Sequence, residues 1–240
     1  MDQSQLDPDD FVAGRVHEQL TEFTRVFREL GEAGILRRVL EDKEPFSGPY
    51  VQQAPENFTE KYLVEPVLHA LEYYDRQSEA YHTDFPHFIP QPSTFDRIES
   101  YKPDYRLVNV SDSIECIVEV KAINKELASR GENSASAQIE RYLESNTFCS
   151  YILDQNRQYL LGIPTDGLRW SLRAKDVRQG SVLENEPSVD LSPVVTSIAR
   201  REGVIPGNPH FSRTEEYRSL KYNFVQALSA RNLPNSIERL

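Results

Sequence analysis

Between Phe11 and about Leu40 the apolar residues Val12, Val16, Leu20, Phe23, Val26, Phe27 and Leu30 recur at helical spacing. This predicts one or two amphipathic helices packed on another element. Residues 1–10 are polar and acidic and read as disordered. A turn-rich stretch from Asp42 to Glu56, with Pro45, Gly48, Pro49 and Pro55, reads as a boundary. A helix is predicted from about Glu60 to Tyr74, capped by Asn57 or Thr59. Residues 78–90 read as partly extended, and the Pro-rich stretch from Phe85 to Pro92 as a loop. Strands are predicted from Asp104 to Val110 and from Ile114 to Ile123. The short turn Ser111-Asp112-Ser113 between them makes a hairpin. Polar residues from Gly131 to Ser134 precede a helix from about Ala135 to Asn146 or beyond. Two further strands, Tyr159 to Ile163 and Leu168 to Arg173, flank a turn at Pro164-Thr165-Asp166-Gly167. A polar linker from Gln179 to Ser188 leads to helices at Ser192 to Arg201 and Thr214 to Arg231.

This order of helix, three strands, helix and two strands predicts an α/β fold, a central mixed β-sheet flanked by helices. Composition agrees: 38% hydrophobic and 27% charged residues describe a globular chain. No apolar run approaches the roughly 18–20 residues that span a bilayer. The start, MDQSQLDPDD, lacks the basic residues and apolar stretch of a signal peptide. The two cysteines, Cys116 and Cys149, fall in a predicted strand and a predicted helix, with neither disulfide nor zinc spacing. A reducing, cytoplasmic setting is expected, with no membrane partner. A net charge of −11 opposes nucleic-acid binding on average, but a local basic surface or bound divalent ions can offset it. Arg outnumbers Lys by 20 to 7, and an acidic, Lys-poor surface suits high salt, where screening removes self-repulsion.

The chemistry concentrates in Lys102-Pro103-Asp104-Tyr105 and Val118-Glu119-Val120-Lys121. Alternate side chains of a strand share a face, so Glu119 and Lys121 point one way and Val118 and Val120 the other. Ile114, Cys116, Val118 and Val120 form an apolar face, with Ile117 the only apolar member opposite. Burying an acid and an amine two residues apart is costly unless they pair or bind a metal. The hairpin brings Asp104 toward Glu119. Two carboxylates, the carbonyl of Val120 and several waters suffice for Mg²⁺ (or Mn²⁺), and Lys121 beside them suits the hydrolysis of a phosphodiester. The plain alternative is a surface strand whose Glu and Lys form an ion pair worth at most about 1 kcal/mol.

The residues KPDYRLVNVSDSIECIVEVKA resemble the core motif of the PD-(D/E)xK nuclease superfamily, with 14 residues between Asp104 and Glu119. Ala137-Gln138-Ile139-Glu140-Arg141-Tyr142 resembles the QxxxY element that follows the catalytic strand in several of its groups. Gln138 and Tyr142 share a helix face; a solvated amide and a half-buried ring is the alternative. Thr59 to Leu68 resembles the first helix of that fold, whose glutamate can complete the metal site. Val64, Val67, Leu68 and Leu71 lie 4, 7, 8 and 11 residues after Glu60, which puts Glu60 on the inward stripe. Glu65 falls roughly 140° away and reads as solvated. Glu60 is therefore the candidate of the two, an exposed first-turn acid favoured by the helix dipole being its alternative. Leu161 to Trp170 is similar to the strand–turn–strand that closes the amino-terminal nuclease domain of type I restriction enzyme R subunits, the closest group.

The resemblance implies a restriction-endonuclease-like core over 57–175, with helical extensions at 1–50 and 176–240. It implies a Mg²⁺-dependent endonuclease or deoxyribonuclease acting in restriction, repair or replication. Asp104, Glu119 and Glu60, with the carbonyl of Val120, would bind metal; Lys121 and Gln138 would act in catalysis. DNA is the expected partner, a protein supplying specificity or a motor is another, and a homodimer is an open option. No GxxxxGK[ST] loop is present, so ATP-driven translocation is not expected of this chain. The histidines form no HExxH or HNH-like group, and His82 and His87 read as loop residues. Lys102, Lys125, Arg130 and Arg141 are candidate phosphate contacts with a solvated surface role as the default. Tyr73, Tyr74, Tyr81 and Tyr101 are either core edges or stacking platforms. The rival reading is a non-catalytic nucleic-acid- or protein-binding module on the same fold.

Overall fold

The computed structural model describes residues 7–48, 54–95, 102–125, 134–183 and 187–237. The sequence readings of residues 1–6, Tyr101, Arg130, most of the polar stretch before Ser134 and part of the 179–188 linker lie outside these residues.

Helix α1 spans Pro8–Glu29, opened by Pro8 in its first turn and by the Asp7 side chain accepting from the Asp9 N–H at 3.0 Å. Helix α2 spans Ala33–Arg37 and runs on as a π-turn segment, Arg38–Asp42. Helix α3 begins at Pro55–Thr59, continues through a π segment, Glu60–Val64, and ends in α turns at Glu65–Ala70. It starts earlier than its Asn57 or Thr59 cap predicted, because Pro55 occupies the first turn, where its missing N–H is not needed. The stretch read as a Pro-rich loop instead contains strand β1, His87–Pro90. As the outermost member of the sheet path, β1 tolerates a proline that a central strand would not. His87 is accordingly buried in β1 rather than placed in a loop.

Strand β2 spans Tyr105–Val108 and β3 spans Ile114–Val120. Helices α4, Ala135–Glu144, and α5, Asn146–Asp154, lead to β4, Tyr159–Thr165. The single helix expected here is broken because Ser145 adopts an extended conformation and caps α5 through the Phe148 N–H. The remaining strands are β5, Arg169–Ser171, β6, Arg173–Asp176, β7, Ser181–Val182, and β8, Ser188–Asp190. Pro164 and Thr165, expected in a turn, lie in β4. The proline sits where β4 changes antiparallel partner, from β6 at Gly162 to β5 at Thr165, so no regular ladder bond on that side is lost. Helix α6, Ser192–Arg201, and α7, Arg213–Ser219 with its π continuation Leu220–Val225 and end Gln226–Leu228, precede α8, Leu233–Ile237.

The result is an α/β fold with an eight-stranded mixed sheet, path β1-β2-β3-β4-β5-β8, with β6 and β7 on a branch from β4. β3 and β4 are parallel and the other pairs antiparallel. β3 alternates as its sequence predicts: Ile114, Cys116, Val118 and Val120 join the larger core, while Ile117 packs with Ile139, Tyr142 and Phe148 of α4 and α5. The helices outside 57–175 bury Val16, Leu20, Val195 and Phe224 in that same larger core. No helix among the described residues is long and apolar enough to cross a membrane.

Two contacts on the α4–α5 side set the position of that layer. Gly162 of β4 faces Ile139, whose Cγ2 would overlap any Cβ placed there. Gly162→Ala should therefore lower the unfolding free energy by about 1–3 kcal/mol, read from the urea midpoint. Glu115, fully buried, accepts from Arg106 at 2.5 and 2.9 Å and pairs with Arg157 at 3.0 Å. Glu115→Ala strands two guanidinium groups and should cost about 3–5 kcal/mol in the same measurement.

Candidate functional site

The site forms at the C-terminal end of β3. In the β2–β3 register Tyr105 opposes Val118, so Asp104, one residue earlier, comes level with Glu119. The Asp104 Oδ2 accepts the Val120 N–H at 2.7 Å, which fixes the acid against the end of the strand. Glu119 shares the sheet face of Glu115 and Ile117 and is 2% exposed. Lys121 follows the strand, its N–H donating to Thr165 O at 2.9 Å, so the ladder with β4 holds its backbone.

Lys121 reaches Glu119, which lies beside Asp104. Lys121 Nζ lies 3.9 Å from Glu119 Oε2 and 3.4 Å from Glu56 Oε1, and it donates to Val120 O at 2.8 Å. The Val120 carbonyl, expected to ligate metal, is thus engaged by the neighbouring ammonium. Glu119 lies beside Asp104, close enough for the two carboxyls to interact, and its Oε1 accepts from Tyr142 Oη at 3.1 Å. Burial foremost, then the charge of Asp104, pushes the Glu119 carboxyl up to about 9, against a smaller opposing effect of Lys121.

α3 supplies the rest. One carboxylate oxygen from each of Glu56, Glu60 and Asp104 lies within 4.8 Å of the other two, all three residues being half-buried. Burial, with Asp104, Glu56 and Glu65 nearby, raises Glu60 to about 7. Glu60 is therefore at the cluster, as its helical phase predicted. Glu65 departs from its reading as solvated: it is half-buried and accepts from Tyr105 Oη at 3.1 Å. The cause is the π turn, in which the Glu65 N–H bonds to Glu60 O. Residues five apart are drawn together there, instead of splaying as on an α-helix.

Gln138 lies one turn before Tyr142 on α4, half-buried, and among the described residues its side chain makes no hydrogen bond to the acids. Two residues left out of the sequence-derived site belong to it. Tyr142 carried a signal in the QxxxY pattern. Glu56 carried one too, since it stands four residues before Glu60 on one helix face, but the stretch around it read as a boundary.

An all-oxygen set of hard carboxylate donors around a half-buried point, with one ammonium beside it, matches the ligand preference of Mg²⁺ or Mn²⁺. Burial first, then the charge of Asp104, raises both Glu60 and Glu119 to neutral pH or above, in keeping with a cluster short of positive charge. The residues therefore fit a divalent cation. Comparison of the chain with protein-family models, with curated proteins and with solved structures gave no match.

Proposed function

We propose that this protein is a divalent-metal-dependent nuclease of the PD-(D/E)xK kind, with a restriction-endonuclease-like core, that hydrolyses phosphodiester bonds in DNA. The observation that carries this reading is the meeting of Asp104, Glu119 and Lys121 at one strand end, joined by Glu56 and Glu60. A lone acid–amine pair on a surface strand would leave both groups solvated; here Glu119 and Lys121 are 2% and 7% exposed. Burial without function is expensive for both groups.

Asp104, Glu56 and Glu60, whose oxygens lie within 4.8 Å of one another, would hold Mg²⁺ or Mn²⁺, with Glu119, outside that trio but beside Asp104, completing the set. The chemistry gained on binding the ion is a more acidic coordinated water and neutralised phosphate charge. Lys121 holds three donors next to the acids and positions the attacking water or a phosphate oxygen, adding positive charge where negative charge develops. Tyr142 holds one oxygen of Glu119 and leaves the other facing Lys121. Water is the nucleophile, so no covalent enzyme intermediate forms.

The test is incubation with plasmid and linear DNA plus Mg²⁺ or Mn²⁺, at low and high salt, alongside calorimetric titration with Mn²⁺. A nuclease cuts and binds the ion, and Glu119→Ala loses both. DNA binding without any cutting, and with no loss of affinity in Glu119→Ala, would favour the non-catalytic module.

A further inference from the structure

We propose that the cavity along the outer edge of β1 receives one unpaired nucleobase next to the phosphate being cut, and that Gln91 and Gln77 read its edge. This deepens the nuclease reading and rests on it. The cavity measures about 430 Å³ and lies between the loop after α3, with Arg76 and Gln77, and the β1 end, with Ile89, Pro90, Gln91 and Ser93. That is ample for a planar base, and within the usual range for small-molecule sites.

Its place in the fold joins it to the acids. Pro90 opposes Tyr105 in the β1–β2 register, and the next residue, Gln91, donates its N–H to Asp104 O at 2.7 Å. The same residue that bounds the cavity is thus bonded to the backbone of a proposed metal ligand. Asp104 reaches from β2 toward β3 while the cavity lies on the far side of β1, so a strand with its phosphate at the acids crosses two inter-strand spacings, about 10 Å, to lay a flanking base in the cavity. Gln91 adopts a left-handed backbone, φ 42°, which a non-glycine residue takes up only where its surroundings demand it.

The lining chemistry suits a base, since the Asp75 carboxylate that also borders the cavity already accepts from the Gln77 and Ser78 N–H groups at 3.0 and 2.9 Å. Ile89 and Pro90 provide apolar surface for a ring face, and the primary amides of Gln91 and Gln77 carry a donor and an acceptor each. Amides of this kind match the paired donor and acceptor on a base edge, adenine above all. A paired base keeps that face stacked and cannot enter, so the occupant is a base at a strand end or one swung out of the duplex.

The experiment maps the ends produced from a randomised DNA pool, single-stranded in one arm and duplex in another. The wild type is compared with Gln77→Ala/Gln91→Ala, which keeps the Gln91 backbone bond to Asp104. The wild type should show a base preference at one position flanking the cut, and an abasic residue there should slow cutting about tenfold. The double variant should cut the abasic and intact substrates equally and lose the preference. Preference in the single-stranded arm alone marks a strand-end base; preference in both marks a flipped one. Cutting with no flanking preference, or with a preference unchanged in the double variant, overturns the cavity's role while leaving the nuclease reading intact. No cutting in any arm overturns both. Ile89→Trp, which fills the cavity, should likewise slow the intact substrate to the abasic rate, with an unchanged melting temperature as the check on folding.

Discussion

Lys121→Ala will lower DNA cleavage by roughly 100- to 1000-fold, the usual loss when one preorganised group facing developing charge is removed. The Lys121 ammonium is bonded to the Val120 carbonyl and lies 3.4 Å from Glu56 and 3.9 Å from Glu119. Its backbone is fixed by Thr165, so truncating the side chain leaves the strand in place. The fold should survive, because Glu119 is already held protonated and loses only a partner that opposed that state. Circular dichroism and the melting temperature should match the wild type, and single-turnover rates on linear DNA with Mn²⁺ give the loss. A variant that keeps a third or more of the wild-type rate would place the reaction elsewhere.

Glu119→Gln should separate stability from activity. In the folded protein the Glu119 carboxyl sits at about 9 against a usual 4.5, chiefly because burial penalises the charged form. Between those values the folded state binds more protons than the unfolded one, so stability must fall as pH rises. The contribution is fully present below about pH 4.5 and is lost as pH passes through about 9. The full span between the two values corresponds to about 6 kcal/mol at most. Glu60, raised in the same direction but more exposed, adds a smaller part discounted for solvent screening. The substituted amide mimics the protonated acid, and its carbonyl can still accept from Tyr142. In the absence of metal, urea unfolding should show the variant several kcal/mol more stable than wild type at pH 8, with the gap closing toward pH 5. Cleavage should be lost. Equal pH profiles for the two proteins would mean that Glu119 ionises without penalty and the cluster is not tight. Saturating Mn²⁺ should stabilise the wild type more at pH 8 than at pH 6, since binding must displace those protons.

Period-two alternation placed Ile114, Cys116, Val118 and Val120 in one core and Glu119 on the other face, because a strand offers a side chain only two directions. The hairpin's short connection brought Asp104 beside Glu119 for the same local reason. Helical spacing likewise located Glu60 on the inward stripe. The bounds of α6 were readable outright, as a Pro near its start and a run of buried aliphatic residues leave little choice.

What lay beyond the sequence was whatever depended on a partner far along the chain. Glu65 turned inward because a π turn replaced an α turn, and Pro90 was admitted to a strand because that strand is an edge. Glu56 entered the site only because α3 lies across the end of β3, where Lys121 reaches it. Local pattern decides which way a residue faces, since that is set by backbone geometry over a few residues. Which residues it then meets, and so the raised carboxyls at the centre of the site, is set by packing between elements tens of residues apart. Only the tertiary structure carries that information.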